Sequence, residues 1–200
     1  MTKKIKIILS VVFLLMFASL NSWAINNSVL KIGDKDAKVT VKVFSSLTCP
    51  HCATFHNEVF KNLNNEYIVN NKINFEHHAF PLDLAALNAE KILRCTNGTK
   101  KSFQLLNEIY LKQDQWAVGS DINVINKSIK KMGKKYGFDE KKMNLCLDDE
   151  KTQDQILNER IEAQKKYKIS STPTIYINEK KYDGKHDYKK FKKELDKFLK

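Results

Sequence analysis

Two cysteines with two residues between them, in Thr48-Cys49-Pro50-His51-Cys52, constrain this chain more than any other stretch. Residues 38–44 (KVTVKVF) alternate apolar and polar side chains and are rich in valine, which predicts a strand running into the pair. Beyond it, Cys52, Phe55, Val59 and Leu63 recur at steps of three and four, the spacing of one helix face. Pro50 falls in the first helical turn, where the missing N–H has no intrahelical partner to lose. A strand therefore hands over to a helix at the dithiol, with Cys49 at the helix N-terminus and Cys52 one turn inside.

That placement makes the two sulfurs unequal. Free N–H groups and the positive end of the helix dipole favour a thiolate at Cys49. His51 offers a further donor or positive charge beside it. Cys52 lies on the apolar face. Cys49 is thus expected to be the attacked or attacking sulfur and Cys52 the resolving one. A stabilised thiolate makes the disulfide easier to reduce, and so a better oxidant of other thiols. Two plainer readings compete. A zinc site needs two more ligands at suitable spacing, and Cys95 and Cys146 stand far off and alone. A purely structural Cys49–Cys52 bond closes so short a loop that it gains little entropy. The redox reading calls for no metal and no organic cofactor.

Residues 1–24 read as a signal peptide. Lys3, Lys4 and Lys6 form a basic start, Ile7 to Leu20 is apolar, and Ser22-Trp23-Ala24 offers small residues for cleavage after Ala24. The apolar run is short of the roughly 20 residues that span a bilayer. Export to the periplasm, where disulfides form and persist, is the expectation. The remaining chain suits one domain with an inserted subdomain. The net charge of +12 is spread over helix faces, with no nucleic-acid motif, and reads as a solvated surface.

Val29 to Ile32 is expected as a short first strand, and Ile73 to Phe80 as another, ended by Pro81. His77 and His78 are adjacent, so in a strand they face opposite sides and do not share a metal. From Asp83 to Tyr167 the pattern turns helical. Asp83 caps a helix through Cys95, broken at Asn97-Gly98. A second helix carries Phe103, Leu106 and Tyr110 and ends before Trp116. A third, capped by Asp121, carries Ile122, Ile125, Ile129, Met132 and Tyr136 and stops at Gly137. Asp139 starts a short helix through Cys146, and Glu150 to Tyr167 forms a longer one. Cys95 and Cys146 are either a structural disulfide of an exported protein or two separately buried thiols. Thr174 to Ile177 then reads as a strand, turning at Asn178-Glu179 into Lys180 to Tyr182. Asp187 caps a last helix with Tyr188, Phe191, Leu195 and Phe198 on one stripe.

Strand, C-P-H-C, helix, strand, helical insertion, then Thr172-Pro173-Thr174 opening a hairpin: this order resembles the DsbA-type thiol–disulfide oxidoreductases of the thioredoxin superfamily, from about Val29 to Leu199. Cys95 near Asn97-Gly98, with Cys146 in Asn144-Leu145-Cys146-Leu147, looks like the α-proteobacterial branch. The resemblance implies an α/β, thioredoxin-like fold with an inserted all-helical subdomain. Residues 25–82 and 169–200 would form the thioredoxin-like part and 83–168 the insertion. It implies Cys49 as nucleophile and Cys52 as resolving thiol, with His51 shared by strongly oxidising relatives. Pro173 would be a cis-proline facing the dithiol, with the backbone of Thr172 pairing with an extended substrate. One position departs from the pattern: many relatives carry an acid six residues before the first cysteine, and here Val43 stands there.

The implied activity is the introduction of disulfides into unfolded or newly exported cysteine-containing proteins by a monomeric enzyme. The implied reoxidant is a quinone-linked, DsbB-like membrane partner, and no nucleic acid is involved. One rival is an isomerase or reductase on the same fold. Related isomerases often dimerise through an N-terminal extension, and the 14 residues from Ile25 to Lys38 are too few for one. The other rival is a non-catalytic chaperone binding peptides near Pro173, which leaves the two cysteines without a role.

Overall fold

The computed structural model describes residues 29–95 and 98–200, so the expected signal peptide over 1–24 lies outside the described residues, as does Asn97. Strand β1 (Leu30–Gly33) ends at a glycine with φ of 105°, where a Cβ would come 2.2 Å from the Ile73 carbonyl oxygen. Only glycine fits there. Strand β2 (Thr40–Ser45) follows, alternating as expected: Val41 and Val43 are buried on one face and Phe44 on the other.

Helix α1 runs over 50–68 and is not uniform. An α-helical turn at Pro50–Thr54 opens into wide π turns at Phe55–Phe60 and Asn64–Ile68, with Lys61–Leu63 between them. The spacing of three and four correctly buries Cys52, Phe55, Val59 and Leu63. The wide turns widen that face, so His56, Phe60, Tyr67 and Ile68 are buried as well.

Strand β3 (Asn74–Ala79) lies parallel to β2, in register from Thr40↔Asn74 to Ser45↔Ala79. Parallel neighbours need a crossover, and α1 supplies it. Helices α2 (Leu84–Arg94), α3 (Thr99–Leu111), α4 (Gln113–Trp116), α5 (Ile122–Lys135), α6 (Glu140–Asp148) and α7 (Glu150–Tyr167) come next. Strands β4 (Thr174–Ile177) and β5 (Lys180–Lys181) and helix α8 (Tyr188–Phe198) complete the chain. The sheet order is β1-β3-β2-β4-β5, with every pair but β2–β3 antiparallel. The helices from α2 to α7 are thus inserted between β3 and β4.

Aspartates cap this helical part. The side chains of Asp83, Asp121, Asp139, Asp149 and Asp187 accept backbone N–H groups at the starts of α2, α5, α6, α7 and α8. Each satisfies a first-turn donor and places negative charge at the positive end of the dipole. Two boundaries differ from expectation. Trp116 lies inside the short α4, because its indole N–H donates to the Ile109 carbonyl at 2.8 Å and folds the chain back. Tyr182 leaves β5 after one further ladder bond, to Ile175, and its ring packs 4.9 Å from Phe191 under α8.

The main core joins Val41, Val43 and Phe75 of the sheet to α1 and continues through Ile92, Leu93, Leu105 and Ile109. On the opposite sheet face Phe44, Phe80 and Tyr176 pack with Ala163 of α7. Cys95 and Cys146 are joined in a disulfide with Cα atoms 6.1 Å apart, tying the end of α2 to α6. Arg94 beside it makes a two-pronged pair with Glu159 of α7, at 2.8 and 2.6 Å. Among the described residues no helix is long and apolar enough to cross a membrane.

Candidate active site

Strand β2 ends at Ser45, and three residues turn the chain into α1. Cys49 is the helix N-cap, in extended conformation (φ −79°, ψ 119°), and Pro50 opens the helix. The carbonyl of Cys49 accepts the N–H groups of Cys52 at 3.0 Å and Ala53 at 3.1 Å. Both cysteines carry free thiols, so the dithiol is in its reduced form. Cys49 keeps 8% of its surface exposed and Cys52 only 1%.

Thr172 and Pro173 meet the pair from the start of β4, 123 residues along the chain. Their peptide bond is cis. The Cys49 thiol donates to the Thr172 carbonyl at 3.4 Å. The Thr172 hydroxyl, buried with no nitrogen or oxygen partner among the described residues, lies toward both sulfurs and lowers the pKa of each.

The two thiols are electrostatically opposed. A hydrogen bond from Cys52 does most to bring Cys49 down to about 5, against the upward push of burial. The Thr172 side chain and the backbone N–H groups of Cys52 and His51 add to it. These N–H groups are the unpaired donors of the first helical turn. Burial first, then the hydrogen bond and charge of Cys49, push Cys52 far up. His51 thus acts on Cys49 through its backbone, while its imidazole is exposed. The expected measurement is an ultraviolet titration of the Cys49 thiolate with a midpoint near 5. Because the folded value lies below that of a free thiol, Cys49 stabilises the reduced fold fully above the free-thiol pKa. That contribution disappears as pH falls through about 5. The oxidised form has no such group, so acidification should narrow the stability gap between the two forms. A gap independent of pH would contradict this.

The helical insertion clamps the loop before Cys49. Thr48 donates to Asp83 at 2.7 Å, and the same carboxylate caps α2. Ser46 shares a hydrogen bond with Thr48 and accepts the Leu82 N–H. From α4, the buried Gln113 amide donates to the carbonyls of Leu47 at 2.7 Å and Cys49 at 3.0 Å. Gln113 sits in no motif and carries no distinguishing signal in the sequence. Gln113→Leu should cost about 1–3 kcal/mol, the range for a buried polar pairing left unmade, read as a shift in denaturation midpoint. An unshifted midpoint would mean the clamp carries no energy. His186 was also missed: half-buried, it packs edge-on to Phe55 at 5.7 Å and near enough to His51 to feel its charge. Val43, the departure noted in the sequence, is buried beside His77 of β3.

The thioredoxin family model matches residues 26–197. A Rickettsia bellii protein named as a protein-disulfide oxidoreductase is 31% identical over 158 residues, 78% of this chain and 60% of its own length. Disulfide bond formation protein D of Bacillus subtilis is 26% identical over 178 residues, 84% of this chain and 76% of its own. The chain therefore spans less than two thirds of the Rickettsia relative. Among solved structures, Wolbachia pipientis alpha-DsbA1 superposes with a TM-score of 0.79 at 26% identity, covering 86% of this chain and 91% of that one. The fold is also that of oxidised BdbD from Bacillus subtilis, with a TM-score of 0.76 at 21% identity over 88% and 95% of the two chains. Because the match runs from before β1 almost to the end of α8, and not over the dithiol alone, this chain belongs to the thioredoxin family, with a DsbA-type, thioredoxin-like fold.

Proposed function

We propose that this protein is a periplasmic thiol–disulfide oxidoreductase that donates the Cys49–Cys52 disulfide to newly exported proteins. The reading rests above all on the opposition of the two sulfurs, Cys49 held near 5 and Cys52 pushed far up. A substrate thiolate attacks Cys49 Sγ, and Cys52 leaves. A second substrate thiolate then attacks the substrate's own sulfur in the mixed disulfide. Cys49 leaves as a thiolate, and the substrate departs oxidised. A low pKa makes Cys49 a good leaving group in that last step.

The backbone of Thr172 holds the substrate as an extended strand, and Pro173 presents no competing N–H. The exposed His51 meets the substrate beside Cys49. Residues 1–24 direct export, and residues 83–168 act as an inserted clamp on the loop before Cys49. The enzyme works as a monomer and is reoxidised by a quinone-linked membrane protein of the DsbB kind.

The reduction potential of the pair tests this reading. DsbA stands at about −120 mV and thioredoxin at about −270 mV, a gap of about 7 kcal/mol. A value near the first is expected. A value near the second, with strong refolding of a scrambled multi-disulfide protein, would transfer the assignment to an isomerase or reductase.

A further inference from the structure

Strand β5 and helix α8 leave a groove between them of about 440 Å³, within the size range of ligand clefts. Its floor is apolar, made by Ile177 of β4, Tyr182 and Phe198. Its walls are cationic. Lys180 and Lys181 of β5, Lys185 of the following loop, and Lys190 and Lys193 of α8 line it, against two acids, Asp183 and Glu194.

Both acids are already engaged. Asp183 pairs with Lys181 at 3.4 Å, and Glu194 pairs with Lys197 at 2.6 Å. Lys180, Lys185, Lys190 and Lys193 make no ion pair among the described residues. On other faces exposed lysines do find acids, as Lys134 finds Glu140 and Lys135 finds Glu108. The loop that carries Lys185 is held in shape. The Tyr182 hydroxyl donates to the Lys185 carbonyl at 2.7 Å, and Phe191 holds the Tyr182 ring edge-on. Gly184 lies so close that a Cβ there would come 2.4 Å from that ring.

Strand β5 is the end of the sheet. Tyr182 donates its N–H to the Ile175 carbonyl, so these two residues are a bonded pair. Bonded and unbonded pairs alternate along an antiparallel ladder. Lys181, opposite Tyr176, therefore turns its N–H and carbonyl away from β4. Lysines on an open edge ordinarily keep other strands off. That role accounts for Lys180 and Lys181. It does not account for Lys190 and Lys193, which line the same groove from α8 and guard no edge.

Positive charge on both sides of an open edge complements an extended chain with acids at alternate positions. A bilayer surface fits less well. The α8 residues Phe191 and Leu195 are spent in the core, and no exposed large apolar side chain among the described residues comes from β5 or α8. Residues 1–28 contain no acid, so this chain's own N-terminal segment lacks the complementary charge.

We propose that this groove binds an acidic, extended segment of a partner protein. The segment adds to the five-stranded sheet along β5, pairs with the Lys181 backbone, and sets its carboxylates among Lys180, Lys185, Lys190 and Lys193. None of these lysines belongs to the dithiol site, so the inference goes beyond the exchange reaction and does not rest on it.

The test is fluorescence anisotropy of a dye-labelled peptide of about seven residues alternating Glu and Val, added to the full-length protein. Wild-type protein should bind it, and binding should weaken as salt rises toward about 1 M, where the Debye length is about 3 Å. Changing Lys180, Lys185, Lys190 and Lys193 together to Gln should weaken binding about tenfold or more. Changing the exposed Lys127, Lys141, Lys151 and Lys165 to Gln removes the same charge elsewhere and should weaken it far less. Hydrogen exchange at the Lys181 amide should slow when the peptide is bound. Equal losses in the two variants would overturn the groove in favour of general charge attraction. Equal binding of a peptide with Gln in place of Glu, or an unprotected Lys181 amide, would overturn the acidic strand. Binding of phosphatidylglycerol vesicles but not the peptide, lost in the groove variant, would give the surface to a membrane instead. Concentration-dependent self-association lost in that variant, without peptide binding, would give it to a second copy of this chain. None of these results bears on the dithiol, because the assay contains no thiol exchange.

Discussion

Replacing Cys49 with serine should abolish thiol oxidation, leaving no turnover above the uncatalysed background. Replacing Cys52 with serine should instead trap substrates on Cys49 as mixed disulfides, visible as non-reducing gel adducts that a thiol reductant releases. The contrast follows from position. Cys49 is the N-cap sulfur, held as a thiolate by first-turn donors and by Cys52, and it contacts the Thr172 carbonyl where a substrate strand would pair. Cys52 is one turn inside and almost wholly enclosed, so an external sulfur reaches it far less readily. Without Cys52 the thiol hydrogen bond to Cys49 is also lost, so the Cys49 pKa should rise from about 5 in that variant. Serine keeps a hydroxyl donor, which makes alanine the sharper test of this last point. Normal oxidation by both single variants would dismiss the site assignment.

The second large effect concerns stability. Removing the Cys95–Cys146 bond by replacing both residues with alanine should cost about 4 kcal/mol in chemical unfolding, the loop-closure value for a bridge of this length. The bond spans 51 residues and joins α2 to α6, so its loss frees most of the helical insertion in the unfolded state. Cys49 should still titrate near 5, because the groups that lower it are Cys52, Thr172 and the backbone of His51, none of which belongs to the bridge. A loss below about 1 kcal/mol would show that the insertion is held by its packing and by the Arg94–Glu159 pair rather than by covalent closure. A shifted Cys49 titration would show that the insertion transmits strain through the Asp83 and Gln113 clamps.

Much of this molecule is written locally. The alternation before Ser45, the helical spacing after Cys52 and the aspartates ahead of five of the helices are signals carried by residues within a few positions of one another. Those elements appear close to their expected places. The departures also have local explanations that spacing alone does not reveal. The wide turns of α1 bury His56, Phe60 and Tyr67 outside the simple stripe, and Trp116 closes a helical turn by bonding its indole to Ile109. The motif alone sufficed to make Cys49 the helix-end sulfur and Cys52 the enclosed one.

Other features arise only when distant segments meet. Cys95 and Cys146 could pair or stay apart until α2 and α6 packed together. Gln113 looks like any polar helix residue, yet it reaches back 66 positions to the Leu47 carbonyl and 64 to that of Cys49. His77 and Glu90 read as a strand residue and a helix residue, and the packing of α2 on β3 turns them into a buried pair. By itself the amino-acid order determined the dithiol, its seat at a strand–helix junction and the inequality of its sulfurs, because turn, cap and dipole act over a single helical turn. Only the tertiary structure decided what surrounds those sulfurs, because burial and hydrogen bonding across 50 to 130 residues leave no periodic trace in the chain.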